Sequence, residues 1–125
     1  MVRIFQLIAS ILGGLAVAGG AFASHALRNQ LSDRALEIFE TGIKYQMYHA
    51  LALLLVALLL KSQENQPFSM VVAGWAFILG IIIFSGSLYI LSLTGIKWLG
   101  AITPLGGVAF LIGWTSLAIA AGNSQ

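Results

Sequence analysis

The sequence has no cysteine and few charged residues. The absence of cysteine excludes disulfide bonds, thiolate metal ligands and cysteine nucleophiles. Charged residues make up 8% of the 125 residues, whereas an average soluble domain has about 25%. Hydrophobic residues reach 59% of the chain, and the mean hydropathy is +0.96. This composition indicates a membrane protein, and the length indicates a single domain.

Four apolar blocks alternate with short polar connections. A helix needs about 20 residues to cross the roughly 30 Å hydrocarbon core of a bilayer. The pattern predicts an all-α, integral membrane four-helix bundle, with one transmembrane domain over residues 1–125. The expected spans cover residues 4–25, 43–60, 68–93 and 98–121.

The first block has a second interpretation. Arg3, the apolar stretch after it and the tripeptide Ala21-Phe22-Ala23 are typical of a secretory signal with an A-x-A cleavage site. The apolar run is long for a signal core, so we expect a membrane span.

Three boundaries carry recognisable signals. Ser32 and Asp33 are helix N-cap candidates ahead of the second block, and Pro67 stands where the missing N–H of a first helical turn costs nothing. Gly95 is suited to a left-handed turn after the third span. Lys97 and Trp98 then follow as headgroup-level anchors of the fourth span.

The segment before the second span alternates polar and apolar residues with helical spacing. It predicts an amphipathic interfacial helix over residues 33–43 that lies at the membrane surface and continues into the second span. Its polar stripe is Asp33, Glu37, Glu40 and Lys44, and its apolar face is Leu36, Phe39, Ile43 and Met47.

The second span is short in purely apolar residues. Ala50 to Leu60 supplies about 17 Å of helix, roughly half of the hydrocarbon thickness. The rest must come from upstream residues, so we expect His49 to lie well below the membrane surface. Polar side chains at that depth face other helices or a water-filled cavity. Tyr45, Gln46 and His49 therefore either join helices through hydrogen bonds or form a proton relay or ligand site.

Pairing of His25 with His49 in a metal or haem site is not expected. Counted from Arg3, His25 lies about 33 Å along the first helix, near the far surface. The two imidazoles would differ in depth by about 15 Å, so we expect no metal site and no cofactor. His25 is better suited to a helix C-terminus at headgroup level.

Small residues favour close helix packing. In the first span Gly19 with Ala23 has the small-xxx-small spacing, as does Gly14 with Ala18. The third and fourth spans have similar seams, namely Ala73, Ala76, Gly80 and Ser87, and Ala109, Gly113, Ser116 and Ala120. Near the start of the fourth span, Thr103 and Pro104 predict a packing kink, with a gate at a broken helix as the alternative.

Basic residues predict the orientation. Arg28, Arg34, Lys44 and Lys97 lie on one side of the expected topology, against Arg3 and Lys61 on the other. The positive-inside rule then puts both termini outside a bacterial-type plasma membrane.

Three stretches resemble a known family. They are "GAFASHAL" (20–27), "LEIFETGIKYQMYHALALLLVALL" (36–59) and "FSGSLYILSLTGIKWLGAITPLGG" (84–107). They are similar to the small membrane proteins of the domain of unknown function 423 family, which includes YgdD-like and transmembrane protein 256-like proteins. The resemblance covers nearly the whole chain and implies a four-span membrane protein, but it implies no reaction.

The chain lacks a nucleophile with a base, carboxylates paired at hydrocarbon depth and a phosphate-binding loop. We therefore expect a structural or accessory membrane component and no enzyme. The alternatives are a small transporter or proton-coupled channel that uses the His49 region, and lipid or quinone binding between helices two and four. Expected partners are membrane lipid and either a second copy or a larger membrane complex, with no nucleic acid.

Overall fold

A computed structural model of the chain describes residues 1–124. Four long helices, numbered here in chain order, make up nearly all of it: α1 (Val2–Leu27), α2 (Asp33–Lys61), α3 (Phe68–Thr94) and α4 (Lys97–Asn123). Each is long and apolar enough to cross a membrane. The prediction of an all-α chain with four candidate spans is confirmed.

Each helix packs against the next one in the chain, and neighbours run antiparallel. Hydrogen bonds fix the register: Gln46 of α2 reaches Leu12 of α1, and Ser85 of α3 reaches Gly42 of α2. The result is an up-down-up-down bundle. We call the end with Met1, Lys61 and Asn123 the terminal end, and the opposite end the Gly95 end.

The predicted boundary residues have the expected geometry. The Ser32 hydroxyl accepts a hydrogen bond from the backbone N–H of Ala35 at 3.1 Å, which caps α2. Pro67 stands immediately before the first residue of α3. Gly95 has φ 72°, the left-handed conformation that glycine adopts without steric cost and that ends α3.

The prediction of an interfacial helix over residues 33–43 is wrong. Those residues form the first turns of α2, which is a single α-helix from Asp33 to Lys61. The apolar face of this segment packs on protein, because Phe39 belongs to a buried cluster with Ala23 and Leu27 of α1. Amphipathic spacing requires that one face be buried but does not determine whether lipid or another helix covers it. Here α1 extends far enough to do so.

Aromatic residues of neighbouring helices pack directly against glycines. A Cβ added at Gly113 would overlap Phe77, one added at Gly80 would overlap Phe110, and one added at Gly106 would overlap the backbone of Phe84. The predicted seam of α4 is buried at all four positions, Ala109, Gly113, Ser116 and Ala120. In α1 the buried member is Ala23, whereas Gly14 and Ala18 are exposed.

Three helices depart locally from α geometry. Helix α1 ends in a π-helical turn, Ala23–Leu27. In α3 a π-helical turn, Ile81–Ser85, separates the α-helical segments Phe68–Gly80 and Gly86–Thr94. Helix α4 begins as a 3₁₀ turn, Lys97–Ala101, and becomes α-helical at Thr103. Pro104 therefore stands in the first turn of an α-helical segment, where its missing N–H interrupts no α-helical bond. This placement differs from the expected kink inside a helix.

Candidate functional site

The interior of the bundle holds a cluster of polar and aromatic side chains centred on His49. His49 is 5% exposed and lies twelve residues before Lys61, about 18 Å along α2. Its nearest aromatic neighbour is Phe110 of α4, whose ring centroid is 3.6 Å away at an interplanar angle of 7°. The ring of Phe77 of α3 is tilted by 52° to the imidazole, with its centroid 5.5 Å away. Rings from two other helices therefore enclose the imidazole.

Both ring nitrogens of His49 have a partner. Nδ1 lies 2.8 Å from the carbonyl oxygen of Tyr45, and Nε2 lies 3.1 Å from the indole Nε1 of Trp114. A carbonyl oxygen only accepts and an indole N–H only donates. The two partners together require the neutral tautomer with the proton on Nδ1, which leaves neither nitrogen free for a metal ion or a substrate.

Gln46, one turn before His49, joins three helices. Its Nε2 donates to the carbonyl oxygen of Leu12 in α1 at 2.7 Å. Its Oε1 accepts a hydrogen bond from the Tyr89 hydroxyl of α3 at 2.6 Å. Tyr89 also covers Gly42, where an added Cβ would lie 2.6 Å from the ring. One amide therefore links α1, α2 and α3 at a single level of the bundle.

Serines complete the interior contacts towards the Gly95 end. Ser85, which ends the π-helical turn of α3, is fully buried and donates to the carbonyl oxygen of Gly42 at 2.7 Å. The hydroxyls of Ser87 and Thr103 lie 2.6 Å apart and join α3 to α4. Within residues 1–124, no buried side-chain nitrogen or oxygen lacks a hydrogen-bond partner. The interior contains polar side chains, and within the described chain each buried side-chain nitrogen and oxygen has a hydrogen-bond partner.

The six residues singled out from the sequence do not form one site. Gln46 and His49 lie in the interior, and Tyr45 is 39% exposed while its ring packs on Phe84 at 4.6 Å. Thr103 binds Ser87 nearer the Gly95 end, followed by Pro104 in the first α-helical turn of α4.

His25 is exposed in the last turn of α1 and apart from His49. Gly20 contacts Ile43, and the two histidines lie five and six residues from that contact in opposite directions. Their axial separation is therefore about 16 Å. Within residues 1–124, no three His, Asp or Glu side chains are grouped closely enough to hold a metal ion.

Sequence reasoning missed most of the partners of the site. Trp114, Phe110 and Tyr89 complete it, and their contacts with α2 join residues 43 to 65 positions apart. Ser85, Ser87 and Tyr89 belong to the stretch "FSGSLY" (84–89), of which only Ser87 is part of the predicted small-residue seam. Trp114 has no comparable signal, because a tryptophan in an apolar helix is equally suited to lipid.

Four long apolar helices around an enclosed, hydrogen-bonded interior define a polytopic α-helical membrane protein. The profile of the family described as "Protein of unknown function (DUF423)" matches residues 19–107. The chain belongs to this family.

Relatives match over nearly their whole length. The UPF0382 membrane protein YwdK of Bacillus subtilis is 48% identical over 119 residues, which cover 95% of this chain and 96% of that protein. A UPF0382 membrane protein of Staphylococcus epidermidis is 44% identical over 118 residues, 94% of each chain. No solved structure matches. The predicted family and the prediction of a membrane protein are confirmed, and the bacterial relatives point to the cell membrane.

Proposed function

We propose that the protein is a structural or accessory component of the bacterial cell membrane, without catalytic or conducting activity. The observation that supports this proposal is the set of contacts that the His49 side chain makes with the protein. Its two nitrogens are bound by the Tyr45 carbonyl and the Trp114 indole, Phe110 stacks on its ring, and Phe77 lies beside it. A proton relay needs an imidazole nitrogen that exchanges protons with water, and both nitrogens here are bound to protein.

The competing transporter hypothesis has little support in the interior contacts. Discontinuous helices that expose backbone carbonyls are typical of transport sites. Pro104 instead lies in the first turn of an α-helical segment, and Ser85 binds the carbonyl oxygen of Gly42 beside the π-helical turn. The rings of His49 of α2 and Phe110 of α4 stack on each other, which favours the accessory role over lipid or quinone binding between these two helices.

Flux measurements test the proposal directly. In proteoliposomes with an imposed pH gradient, we expect proton flux equal to that of protein-free vesicles for the wild type and for His49→Leu. A wild-type flux that His49→Leu abolishes would establish the transporter instead. Leu51→Ala is the matched control on α2, since Leu51 is 53% exposed and touches none of the interior polar groups.

The accessory role implies partners in the plane of the membrane. We propose membrane lipid and either a second copy or a larger membrane complex, and no nucleic acid. Exposed Gly14 and Ala18 on α1 support contact with another helix, because small side chains allow close backbone approach. The proposed orientation has both termini outside, with the connections after α1 and α3 in the cytoplasm.

A further inference from the structure

A polar cavity opens at the terminal end of the bundle, where α3 begins and α4 ends. Its volume is about 640 Å³. Among the described residues, the lining side chains that can form hydrogen bonds are uncharged: Gln63, Ser69, Asn123 and Ser124. Amides and hydroxyls both donate and accept, so the cavity is suited to a ligand that carries hydroxyl or carbonyl groups.

An apolar groove of about 340 Å³ begins at the same place. Phe68 lines both the cavity and the groove, which then follows the surface between α3 and α4 as far as Leu79 and Ala109. Leu79 lies eleven positions after Phe68, which corresponds to about 16 Å of helix. One leaflet contributes about half of the roughly 30 Å hydrocarbon core. The groove therefore matches one acyl chain in length and direction.

We propose that the cavity and the groove form one binding site for a membrane lipid with an uncharged, hydroxyl-bearing headgroup. The headgroup occupies the cavity at the terminal end, and one acyl chain follows the groove over Ala76. An anionic headgroup is a poorer match, because recognition of phosphate relies on basic side chains and the lining contributed by residues 1–124 contains none. The site is independent of the proposed accessory role, since a conducting protein could carry it equally.

The rim of the groove favours a thin chain over a helix. Phe68 is 82% exposed, and Trp75 and Leu79 also project from this face of α3. Close helix approach in membranes depends on small residues at the contact, whereas here the small side chains, Ala76 and Ala109, lie at the floor between large ones. A flexible acyl chain fits between such projections.

Native mass spectrometry from mixed nanodiscs tests the site. Glucosyl diacylglycerol, phosphatidylglycerol and phosphatidylcholine with the same acyl chains are supplied in equal amounts. We expect the glucosyl lipid to be retained roughly tenfold over phosphatidylglycerol, the ratio that corresponds to about 1.4 kcal/mol. Ala76→Phe should fill the groove and abolish retention of all three lipids. Val72→Phe fills the same groove one turn nearer Phe68 if Ala76→Phe fails to fold.

Two further variants separate the headgroup from the chain. Gln63→Leu with Asn123→Leu should remove the preference for the glucosyl lipid and leave lipid adducts in place. Ala118→Phe, an exposed alanine of α4 outside the groove, should bind as the wild type does. Equal retention by the wild type and the groove variants, a preference for phosphatidylglycerol, or a dimer without bound lipid would each overturn the proposal.

Discussion

The imidazole of His49 has one partner that can only accept and another that can only donate. This pairing explains why a titratable residue is stable among Phe77, Phe110 and the apolar side chains of α2. A polar group buried without a partner costs free energy, and the cost disappears when each of its atoms is hydrogen-bonded. His49 therefore has the contacts of a structural residue.

Removal of one partner should have a measurable effect. Trp114→Phe keeps an aromatic ring beside Phe77 but deletes the indole N–H that binds His49 Nε2. We expect the free energy of unfolding to fall by about 0.6 to 1.7 kcal/mol, the range for hydrogen bonds between membrane helices. Unfolding by denaturing detergent measures this loss, with Trp98→Phe, at a 65% exposed position, as the control.

Nitrogen-15 NMR of the imidazole gives an independent check of the same contact. The wild type should show the neutral tautomer protonated on Nδ1, and Trp114→Phe should shift the Nε2 resonance. If the Nε2 resonance is the same in both proteins, the indole does not bind the imidazole.

At the level of whole elements, glycines determine how closely α3 and α4 approach. Gly106 and Gly107 are adjacent in α4 but differ in their surroundings. A Cβ on Gly106 would meet the backbone of Phe84, whereas one on Gly107 would have nothing within 4 Å. The small residue is therefore required at one position and dispensable at the next.

The adjacent pair provides a matched experiment. Gly106→Ala should destabilise the protein by about 1 to 3 kcal/mol, because backbone must move to admit the methyl group. Gly107→Ala should be neutral or stabilising by up to about 1 kcal/mol, since alanine has the better helix propensity. Thermal unfolding in detergent compares the two. Equal losses of stability would show that α3 and α4 do not approach as described.

The helical character of α2 could be predicted from the sequence, but the location of its first turns could not. Its N-cap at Ser32 and the apolar face with Phe39 were both evident from local spacing. The placement of residues 33–43 at the membrane surface failed, because these residues form the first turns of α2 and their apolar face packs on α1. Only the length of α1 and its register against α2 show that protein covers that face.

For the whole molecule, the distribution of basic residues predicts the orientation. With the connections after α1 and α3 in the cytoplasm, a cysteine at Gln30 should be protected from a membrane-impermeant maleimide in intact cells. A cysteine at Asn65, in the connection between α2 and α3, should be labelled. The chain has no native cysteine, so each label reports one position. Labelling only at residue 30 would reverse the topology.

The sequence by itself determined the membrane class, the four helices, the Ser32 and Gly95 caps and the small-residue seam of α4, because hydrophobic length, capping and residue size act locally along the chain. Tertiary structure alone decided that Trp114 and Tyr89 satisfy His49 and Gln46, that protein covers the start of α2, and that a polar cavity meets an apolar groove at Phe68. These features depend on the relative register of helices distant in sequence. Contacts between aromatic rings and glycines of different helices set this register, and such contacts cannot be read from any single segment of the sequence.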